Sequence, residues 1–239
     1  MRKLILLIGA AAIITLTSCN SHKTSANRAS RIKRETNYLK HESTDYYYSP
    51  DGKVVSIEKS NGRKINYQYL DNKILVQNDG SDSSGRPLGS TTLYLNSAGF
   101  ADSSIYSACS YRNYYIYNLD GFVIQVQNYI DSNLTFTQYS TIKDGDIISE
   151  TITNPYFHFH STDNYAYYKD KENTIGNENT GMRFVGASSH NLVKREIKNG
   201  QEFDGFSYAY QFDKEERVIL KTVRYANGSI KDSIAYTYY

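Results

Sequence analysis

Apolar and polar residues alternate between residues 45 and 74, in short runs that are separated by Asp-Gly, Asn-Gly and Asp-Asn pairs. Alternation with a period of two is typical of a β-strand with one buried face, and these pairs are typical of tight turns between antiparallel strands. The stretch DYYYSPDGKVVSIEKSNGRKINYQYLDNKI therefore predicts four short strands in one β-meander.

The turns in this stretch also predict a register for the strands. We assign two-residue turns to Asp51-Gly52 and Asp71-Asn72, and a three-residue loop that ends at Gly62. This register places the following pairs opposite each other on one face: Tyr46 and Ile57, Tyr48 and Val55, Ile57 and Ile65, Val55 and Tyr67, Tyr67 and Val76, and Tyr69 and Ile74. Glu58 and Lys64 then pair on the opposite, solvated face. A slip of one residue would turn each of these side chains to the other face, so the apolar pattern supports this register.

The same pattern recurs along the chain. Residues 115–126 repeat it closely, with Tyr115 opposite Val126 and Tyr117 opposite Ile124, and weaker copies follow at 93–99, 139–145 and 208–220. Copies lie about 20 to 28 residues apart, a spacing that fits two strands and two turns. We therefore predict an all-β fold for residues 43–239, an antiparallel β-meander of about 15 short strands that forms one curved sheet or barrel-like domain.

Composition agrees with this fold class. The chain has 24 Tyr, 9 Phe and 15 Gly but only 3 Pro and no Trp. Tyrosine suits a half-buried sheet, because its ring packs while its hydroxyl stays in contact with water or a hydrogen-bond partner. A tyrosine-rich core is expected.

The N-terminus has the layout of an export signal. Arg2 and Lys3 precede an apolar run of about 13 residues, which is shorter than the roughly 20 that a membrane-spanning helix needs. The tetrad Leu16-Thr17-Ser18-Cys19 resembles the lipobox of bacterial lipoproteins. This resemblance implies that residues 1–18 are removed and that an acylated Cys19 anchors the protein to a lipid bilayer of the outer envelope. The alternative is an ordinary signal peptide with an incidental cysteine.

Residues 19–42 are predicted to be a flexible tether. Residues 20–40 carry six basic residues and one acidic residue, and few of the others are apolar. Such a segment buries too little surface to offset its ordering entropy. Its charge would favour anionic lipid headgroups, or it is simply a solvated spacer. Because the rest of the exported chain is acidic, a nucleic-acid partner is not expected.

One further resemblance rests on the repeated pattern. The sequence Tyr-x-Tyr-x-x-Asp-Gly-x-Val-x-x-Ile, which begins at Tyr46, resembles the tyrosine-aspartate repeats of large secreted shell proteins. Together with the lipobox and tether, it resembles an uncharacterised family of gut-bacterial lipoproteins with a porin-like β fold. That resemblance implies a many-stranded curved sheet or barrel and supplies no catalytic residues. Polar outer positions such as Glu58, Lys64 and Gln125 favour a water-soluble curved sheet over a barrel with a lipid-facing band.

The segment from residue 156 to 168 departs from the repeat and concentrates aromatic residues. We predict that it forms a surface that binds a glycan, a peptide or a protein, because rings that the core does not need are free to stack on a ligand. The candidate residues are Tyr156, Phe157, Phe159, Tyr165, Tyr167 and Tyr168. The alternative is an irregular edge strand whose rings cover one end of the core. The charged loop at 169–181 follows directly.

Signals for catalysis are weak. His158 and His160 share one side of a strand, yet Asp163 is the one further metal ligand nearby, so exposed histidines are the favoured interpretation. Cys109 has no adjacent base and is interpreted as structural, and the Ser188-Ser189-His190 sequence lacks the strand-to-helix elbow of a serine hydrolase. We therefore predict no enzyme, no cofactor and no metal. The predicted function is non-catalytic binding by a lipid-anchored envelope protein, with a structural or assembly role as the alternative and a hydrolase as the less favoured third.

Overall fold

The protein is described by a computed structural model that covers residues 30–81, 88–108 and 110–239. Sixteen antiparallel strands follow one another in this part of the chain. They are β1 (Ile32–Asn37), β2 (Glu42–Tyr48), β3 (Val54–Lys59), β4 (Lys64–Leu70), β5 (Lys73–Asp79), β6 (Ser90–Leu95), β7 (Ala101–Tyr106), β8 (Tyr111–Tyr117), β9 (Val123–Ile130), β10 (Asn133–Lys143), β11 (Asp146–Asn154), β12 (Phe159–Glu172), β13 (Asn191–Lys198), β14 (Gln201–Phe212), β15 (Val218–Tyr225) and β16 (Ile230–Tyr238). A single 3-10 turn, Arg183–Val185, lies between β12 and β13.

Each strand pairs with its neighbours in sequence, and β1 pairs with both β2 and β16, so the sheet closes into a barrel. The prediction of an all-β antiparallel meander is confirmed, with sixteen strands where about fifteen were expected. The sequence analysis left a curved sheet and a barrel-like domain open and favoured the curved sheet, whereas the structure shows a closed barrel. Closure leaves no strand edge unpaired.

The barrel begins earlier in the chain than the sequence analysis expected. β1 occupies Ile32–Asn37, inside the segment 19–42 that was assigned to a flexible tether, and Ile32 is fully buried. Backbone hydrogen bonds to β2 and β16 order this segment, although it has too few apolar residues for its sequence to predict a strand. The predicted boundary at residue 43 is therefore wrong. The predicted signal peptide at 1–18, Cys19, the part of the predicted tether up to residue 29, and Cys109 lie outside the described residues.

Most of the predicted register is confirmed. Tyr46 pairs with Ile57, Ile57 with Ile65, Tyr67 with Val76, and Tyr69 with Ile74. Glu58 and Lys64 also pair on the outer face, with 2.8 Å between carboxylate oxygen and ammonium nitrogen.

Two predicted pairs next to turns are wrong. Tyr48 pairs with Val54 instead of Val55, and Tyr117 pairs with Val123 instead of Ile124. The first turn is a three-residue loop: the Ser49 N–H donates to the Lys53 carbonyl (2.9 Å) and the Gly52 N–H to the Ser49 carbonyl (2.8 Å). Such a turn ends in a bulge that shifts the following strand by one residue.

This turn recurs in a consistent form. Asn96, Asn118 and Asp213 occupy the position of Ser49, and the side-chain oxygen of each accepts two backbone N–H groups of its own turn. Repeated Asn and Asp side chains at these turns therefore have a structural role.

A long connection between β12 and β13, residues 173–190, closes one end of the barrel, and we call it the plug. Its backbone carbonyls at Asn179 and Gly181 accept N–H groups from Ile32 (3.1 Å) and Val54 (3.4 Å) on strands β1 and β3. On the far side of the barrel, the Ala187 N–H donates to Gly121 (2.8 Å). The plug thus bonds to strand ends around the rim, and we call this rim the plugged end.

The apolar core lies inside the barrel beneath the plug. Phe184 of the 3-10 turn is buried against the rings of Tyr67 and Tyr69, whose centroids lie 6.0 and 6.4 Å away. Buried side chains from both sides of the β1–β16 closure join it, including Ile57, Ile74, Leu192, Val218 and Tyr236. The tyrosine-rich core that the composition predicted is present.

The outer wall of β1 to β4 carries ion pairs in addition to Glu58–Lys64. Arg34 binds Asp45 through two hydrogen bonds of 2.6 and 2.7 Å, and Tyr47 donates to Glu58 (3.3 Å). This part of the wall is charged and solvated, as the sequence analysis expected. Within the described ranges, no helix is long and apolar enough to cross a membrane.

Candidate functional site

The end of the barrel opposite the plug, which we call the mouth, has short connections. Seven of the eight connections there contain two or four residues each, and the eighth, between β5 and β6, is described only in part. No described segment is long enough to cross this opening. We therefore take the mouth as the candidate end for access of a ligand to the barrel interior.

Three of the six candidate residues lie at the mouth. Tyr156, Phe157 and Phe159 surround the turn between β11 and β12 and are 59%, 80% and 51% exposed. The Asn154 side chain holds this turn by accepting N–H groups from Tyr156 (3.0 Å) and Phe157 (3.1 Å). Large apolar rings this exposed do not contribute to the core.

The other three candidates lie on the inner wall. Tyr165 donates to Glu150 Oε2 (2.8 Å), Tyr167 to the Ile147 carbonyl (2.5 Å), and Tyr168 to the Tyr208 carbonyl (3.0 Å). Burial raises the pKa of the Tyr165 hydroxyl and raises that of Tyr167 to about 12. The structure thus separates the six residues into an exposed group at the mouth and a hydrogen-bonded group inside the barrel.

Other exposed apolar side chains lie at neighbouring turns of the mouth. Tyr38 and Leu39 follow β1, while Tyr225 and Ile230 flank the β15–β16 turn, and all four are exposed. Because β16 joins β1, these turns and the β11–β12 turn lie within one half of the rim, with the β13–β14 turn between them. The sequence analysis did not connect them, since they belong to opposite ends of the chain.

The inner wall near the mouth carries charges of both signs. On β11 to β13, Glu150 accepts the Tyr165 hydroxyl and Glu196 accepts that of Tyr208 (2.6 Å), while Lys198 lies 3.7 Å from Glu196. Asp163, on β12, pairs across the sheet with Lys198, and its buried Oδ1 has no hydrogen-bond partner among the described residues. Burial raises the pKa of this carboxyl.

A second charged group faces the same interior from β1 and β15. Burial raises the pKa of the Glu35 carboxyl, and a hydrogen bond with Tyr46 and the charge of Lys221 oppose this shift. Burial lowers the pKa of the Lys221 ammonium, and the charge of Glu35 opposes it. Sequence reasoning missed both residues, because Glu35 was assigned to the tether and Lys221 lies within an apolar strand.

The structure does not group the two histidines with a third possible metal ligand among the described residues. His158 adopts a positive φ of 48° in the β11–β12 turn, and His160 Nε2 lies 3.4 Å from the Thr162 hydroxyl. Among the residues that the structure describes, no three His, Cys, Asp or Glu side chains are grouped to hold a metal ion.

Ser189 and His190 belong to the plug. The Ser189 hydroxyl accepts the Ile147 N–H (3.0 Å) and lies 3.0 Å from the Tyr167 hydroxyl, while the His190 ring packs 6.0 Å from that of Phe122. These contacts attach the plug to the barrel. They do not place an imidazole against the serine hydroxyl.

Comparison with known proteins identifies the fold. No family model matches the chain, and no curated protein does. A porin-like protein from Bacteroides uniformis ATCC 8492 is similar in structure, with a TM-score of 0.66 and 13% identity over 87% of this chain and 98% of that one. A porin-like protein from Bacteroides vulgatus ATCC 8482 gives 0.60 and 15%, over 87% and 99%. At such identities the likeness shows the fold alone, and it confirms the porin-like β fold that the sequence resemblance implied.

Proposed function

We propose that this protein is an envelope-associated, non-catalytic binding protein that takes a peptide segment of a partner at the mouth of its barrel. The observation that carries this proposal is the asymmetry of the two ends. The plug bonds to the rim at one end, whereas the other has short described turns with exposed aromatic rings. A barrel closed at one end is suited to holding a ligand rather than passing a solute.

The lining of the mouth suits a peptide. Exposed rings at Tyr156, Phe157 and Phe159 offer contact area for apolar side chains at little entropic cost. Deeper in, Glu196 and Lys198 present both signs of charge within 3.7 Å of each other. A peptide combines apolar side chains with polar amides and charges of both signs, so it complements both the exposed rings at the mouth and the charged residues deeper in the barrel.

Lipid anchorage through Cys19 is the second part of the proposal, and the path of the chain supports it. Ser30 lies at the plugged end, where its carbonyl accepts the Asn179 side-chain amide (3.1 Å). Cys19 precedes Ser30 by eleven residues, which span at most about 40 Å. An anchor attached there would join the bilayer to the plugged end and leave the mouth free for a partner.

A peptide array tests binding at the mouth. The full chain in detergent is expected to bind a subset of peptides, and Phe157→Ala is expected to weaken that binding about tenfold without changing the midpoint of urea unfolding. Val185→Ala is the matched control, because Val185 is also exposed but lies at the plugged end. The peptide proposal is wrong if the two substitutions weaken peptide binding equally, or if the unmodified protein binds no peptide.

Fractionation tests the anchor. Cys19→Ala is expected to release the protein from the membrane fraction, because a chain without acyl groups loses the burial of their methylenes. Ser18→Ala, which keeps a small residue before the cysteine, is the control and is expected to stay with the membrane. Membrane association of Cys19→Ala at the unmodified level would contradict lipid anchorage.

A further inference from the structure

The outer wall of β6 to β10 differs from the charged wall of β1 to β4. Tyr94, Tyr114 and Tyr139 are 39%, 43% and 49% exposed, one on each alternate strand. Their neighbours in sequence point inward: Tyr115 reaches the buried Ser104 hydroxyl (3.1 Å), and Leu93 packs against the core. Alternation therefore places these three tyrosines on the outside of the barrel.

The strand register arranges these tyrosines on one surface. Tyr94 pairs with Ser103, which pairs with Tyr114, and Tyr114 pairs with Gln127. One row away, Ile116 pairs with Gln125, and Gln125 pairs with Tyr139. Two strand spacings separate Tyr94 from Tyr114, a distance of about 10 Å. We call this surface the tyrosine platform, with these members: Tyr94, Ser103, Tyr114, Ile116, Gln125, Gln127 and Tyr139.

The platform is uncharged. None of its seven side chains carries a charge, and two charged side chains border it: Arg112 lies two residues before Tyr114 on β8, and Asp102 accepts the Ser103 hydroxyl (3.0 Å). The charged residues Arg34, Asp45 and Glu58 occupy outward positions on β1 to β3 instead. A polyanion or polycation would gain no complementary charge on the platform.

Apart from the Ser103 hydroxyl, which donates to Asp102 Oδ1 (3.0 Å), its polar groups are unused within the described part of the protein. The hydroxyls of Tyr94, Tyr114 and Tyr139 and the amides of Gln125 and Gln127 make no hydrogen bond to the described residues. The inner-wall tyrosines contrast with them, since Tyr117 donates to the Ala101 carbonyl (2.7 Å). The platform therefore presents stacking faces together with free donors and acceptors.

We propose that the tyrosine platform is a binding site for a neutral polysaccharide chain. A sugar ring has a face of C–H groups that stacks on an aromatic ring, and a rim of hydroxyls that bond amides and hydroxyls. The spacing of Tyr94 and Tyr114 leaves room for a sugar stacked on each ring and another over the polar residues between them. An apolar protein surface would leave the Gln125 and Gln127 amides without partners, which is costly.

Affinity electrophoresis tests this site with the full chain in detergent. We expect gels containing hydroxyethyl cellulose or galactomannan, both neutral, to retard the protein, and gels containing polygalacturonate, which is anionic, to retard it much less. Equal migration in all of these gels overturns the proposal. Stronger retardation by polygalacturonate overturns it as well, because the platform offers no charge for that ligand.

Substitutions place the site on the platform. Tyr114→Ala and Tyr139→Ala are each expected to weaken retardation about fivefold or more, whereas Tyr114→Phe, which keeps the ring, is expected to retain most of it. Tyr47→Ala is the matched control: Tyr47 is 42% exposed and points outward, but from the charged wall. Urea unfolding of each variant excludes a loss of fold. The assignment is overturned if Tyr114→Ala and Tyr139→Ala are retarded as strongly as the unmodified protein. It is also overturned if Tyr47→Ala loses as much retardation as they do.

The platform and the mouth are distinguished by one further variant. Phe157→Ala removes an exposed ring at the mouth and is expected to leave polysaccharide retardation unchanged. If Phe157→Ala abolishes retardation while Tyr114→Ala does not, the polysaccharide binds at the mouth and the platform proposal fails. Peptide binding at the mouth is measured separately, so failure of either proposal leaves the other intact.

Discussion

At the scale of single residues, side chains and glycines at the turns determine where each strand begins. Asn118 accepts two N–H groups of its own turn, and Gly121 closes that turn with φ 84°. Gly99 has the same role with φ 83° in the preceding β6–β7 turn. These two positions differ in their surroundings and so allow strain and packing to be separated.

The first prediction compares these glycines. A Cβ on Gly121 would lie 2.8 Å from the Phe100 ring, whereas one on Gly99 would meet no atom within 4 Å. Gly99→Ala is expected to lower the free energy of unfolding by about 1 kcal/mol, because alanine is strained at a positive φ. Gly121→Ala is expected to lower it by more. Gly121→Val should exceed both. Urea unfolding measures each cost, and equal costs for the two alanine variants would contradict a packing contribution from Phe100.

The second prediction concerns Glu35 and Lys221. The pKa of the Glu35 carboxyl is raised in the folded protein above its ordinary value of 4.5. Its protonated form therefore stabilises the fold fully at pH values below 4.5, and this stabilisation is lost as the pH rises through the folded pKa. Lys221→Met removes a charge that holds the Glu35 pKa down, so it is expected to destabilise by about 2 kcal/mol at pH 7 and by less at pH 4.

The control for that prediction lies on the outer wall. Lys64→Met removes the partner of Glu58 at a site where both side chains are more than 40% exposed. It is expected to cost less than about 1 kcal/mol at pH 7. Urea unfolding at both pH values measures the two variants. If Lys221→Met lowers the free energy of unfolding by the same amount at pH 4 and pH 7, Glu35 and Lys221 are not coupled.

At the scale of elements, the plug is the feature with the clearest separate role. It lacks strands of its own, and it is held by hydrogen bonds to strand ends and by apolar side chains, of which the Phe184 ring is the most deeply buried. Phe184 is 6% exposed, while Val185, next to it in the same 3-10 turn, is 39% exposed. The plug therefore depends chiefly on Phe184 for its apolar contact with the core, and the partly buried Ile175 and Met182 pack against the same core.

The third prediction tests that dependence. Phe184→Ala is expected to destabilise by about 3 kcal/mol or more, because it leaves a cavity beside Tyr67 and Tyr69. Val185→Ala is expected to change stability by less than about 0.5 kcal/mol. Hydrogen exchange should show faster exchange at the Ile32 and Val54 amides, which bond the plug. Unchanged exchange at those amides in Phe184→Ala would mean that the hydrogen bonds hold the plug without the ring.

The strands were predictable to the extent that their signals are local. Tyr46 and Ile57 pair as predicted because alternation fixes which face each residue occupies, and the turn lies only a few residues away. The shift at Tyr48 was missed because Asp51-Gly52 fits two turn types, and only the hydrogen bond from Ser49 to Lys53 separates them. β1 was missed because it has few apolar residues and one of its two partner strands, β16, lies far away in the sequence.

The candidate site was predictable in part. Exposed rings at Tyr156, Phe157 and Phe159 follow from the break in the repeat, whereas Tyr165 and Tyr167 bond to groups on β11 and thus belong to the wall. The two sets look alike in sequence because tyrosine serves both environments. Separating them needs the strand ends, which local patterns place only to within a few residues.

At the scale of the whole molecule, closure depends on β1. This six-residue strand joins β16 to β2, and the pairs Thr36–Ser43 and Thr36–Ala235 lie on its two sides. Without β1, both β2 and β16 would become open edges with unpaired backbone groups. The plug would also lose its bond to the Ile32 N–H.

The last prediction tests whether β1 is part of the barrel or part of a tether. Thr36→Pro removes a backbone donor from a strand paired on both sides and is expected to cost about 3 kcal/mol or more. Lys214→Pro is the matched control, because Lys214 occupies the turn position that Pro50 already holds in the equivalent turn, and it is expected to be nearly neutral. Urea unfolding of the full chain measures both variants. If Thr36→Pro unfolds at the same midpoint as the unmodified protein, residues 32–37 behave as a tether and the barrel closes without them. If Thr36→Pro is destabilised and Lys214→Pro is not, pairing of β1 with β2 and β16 is what closes the barrel.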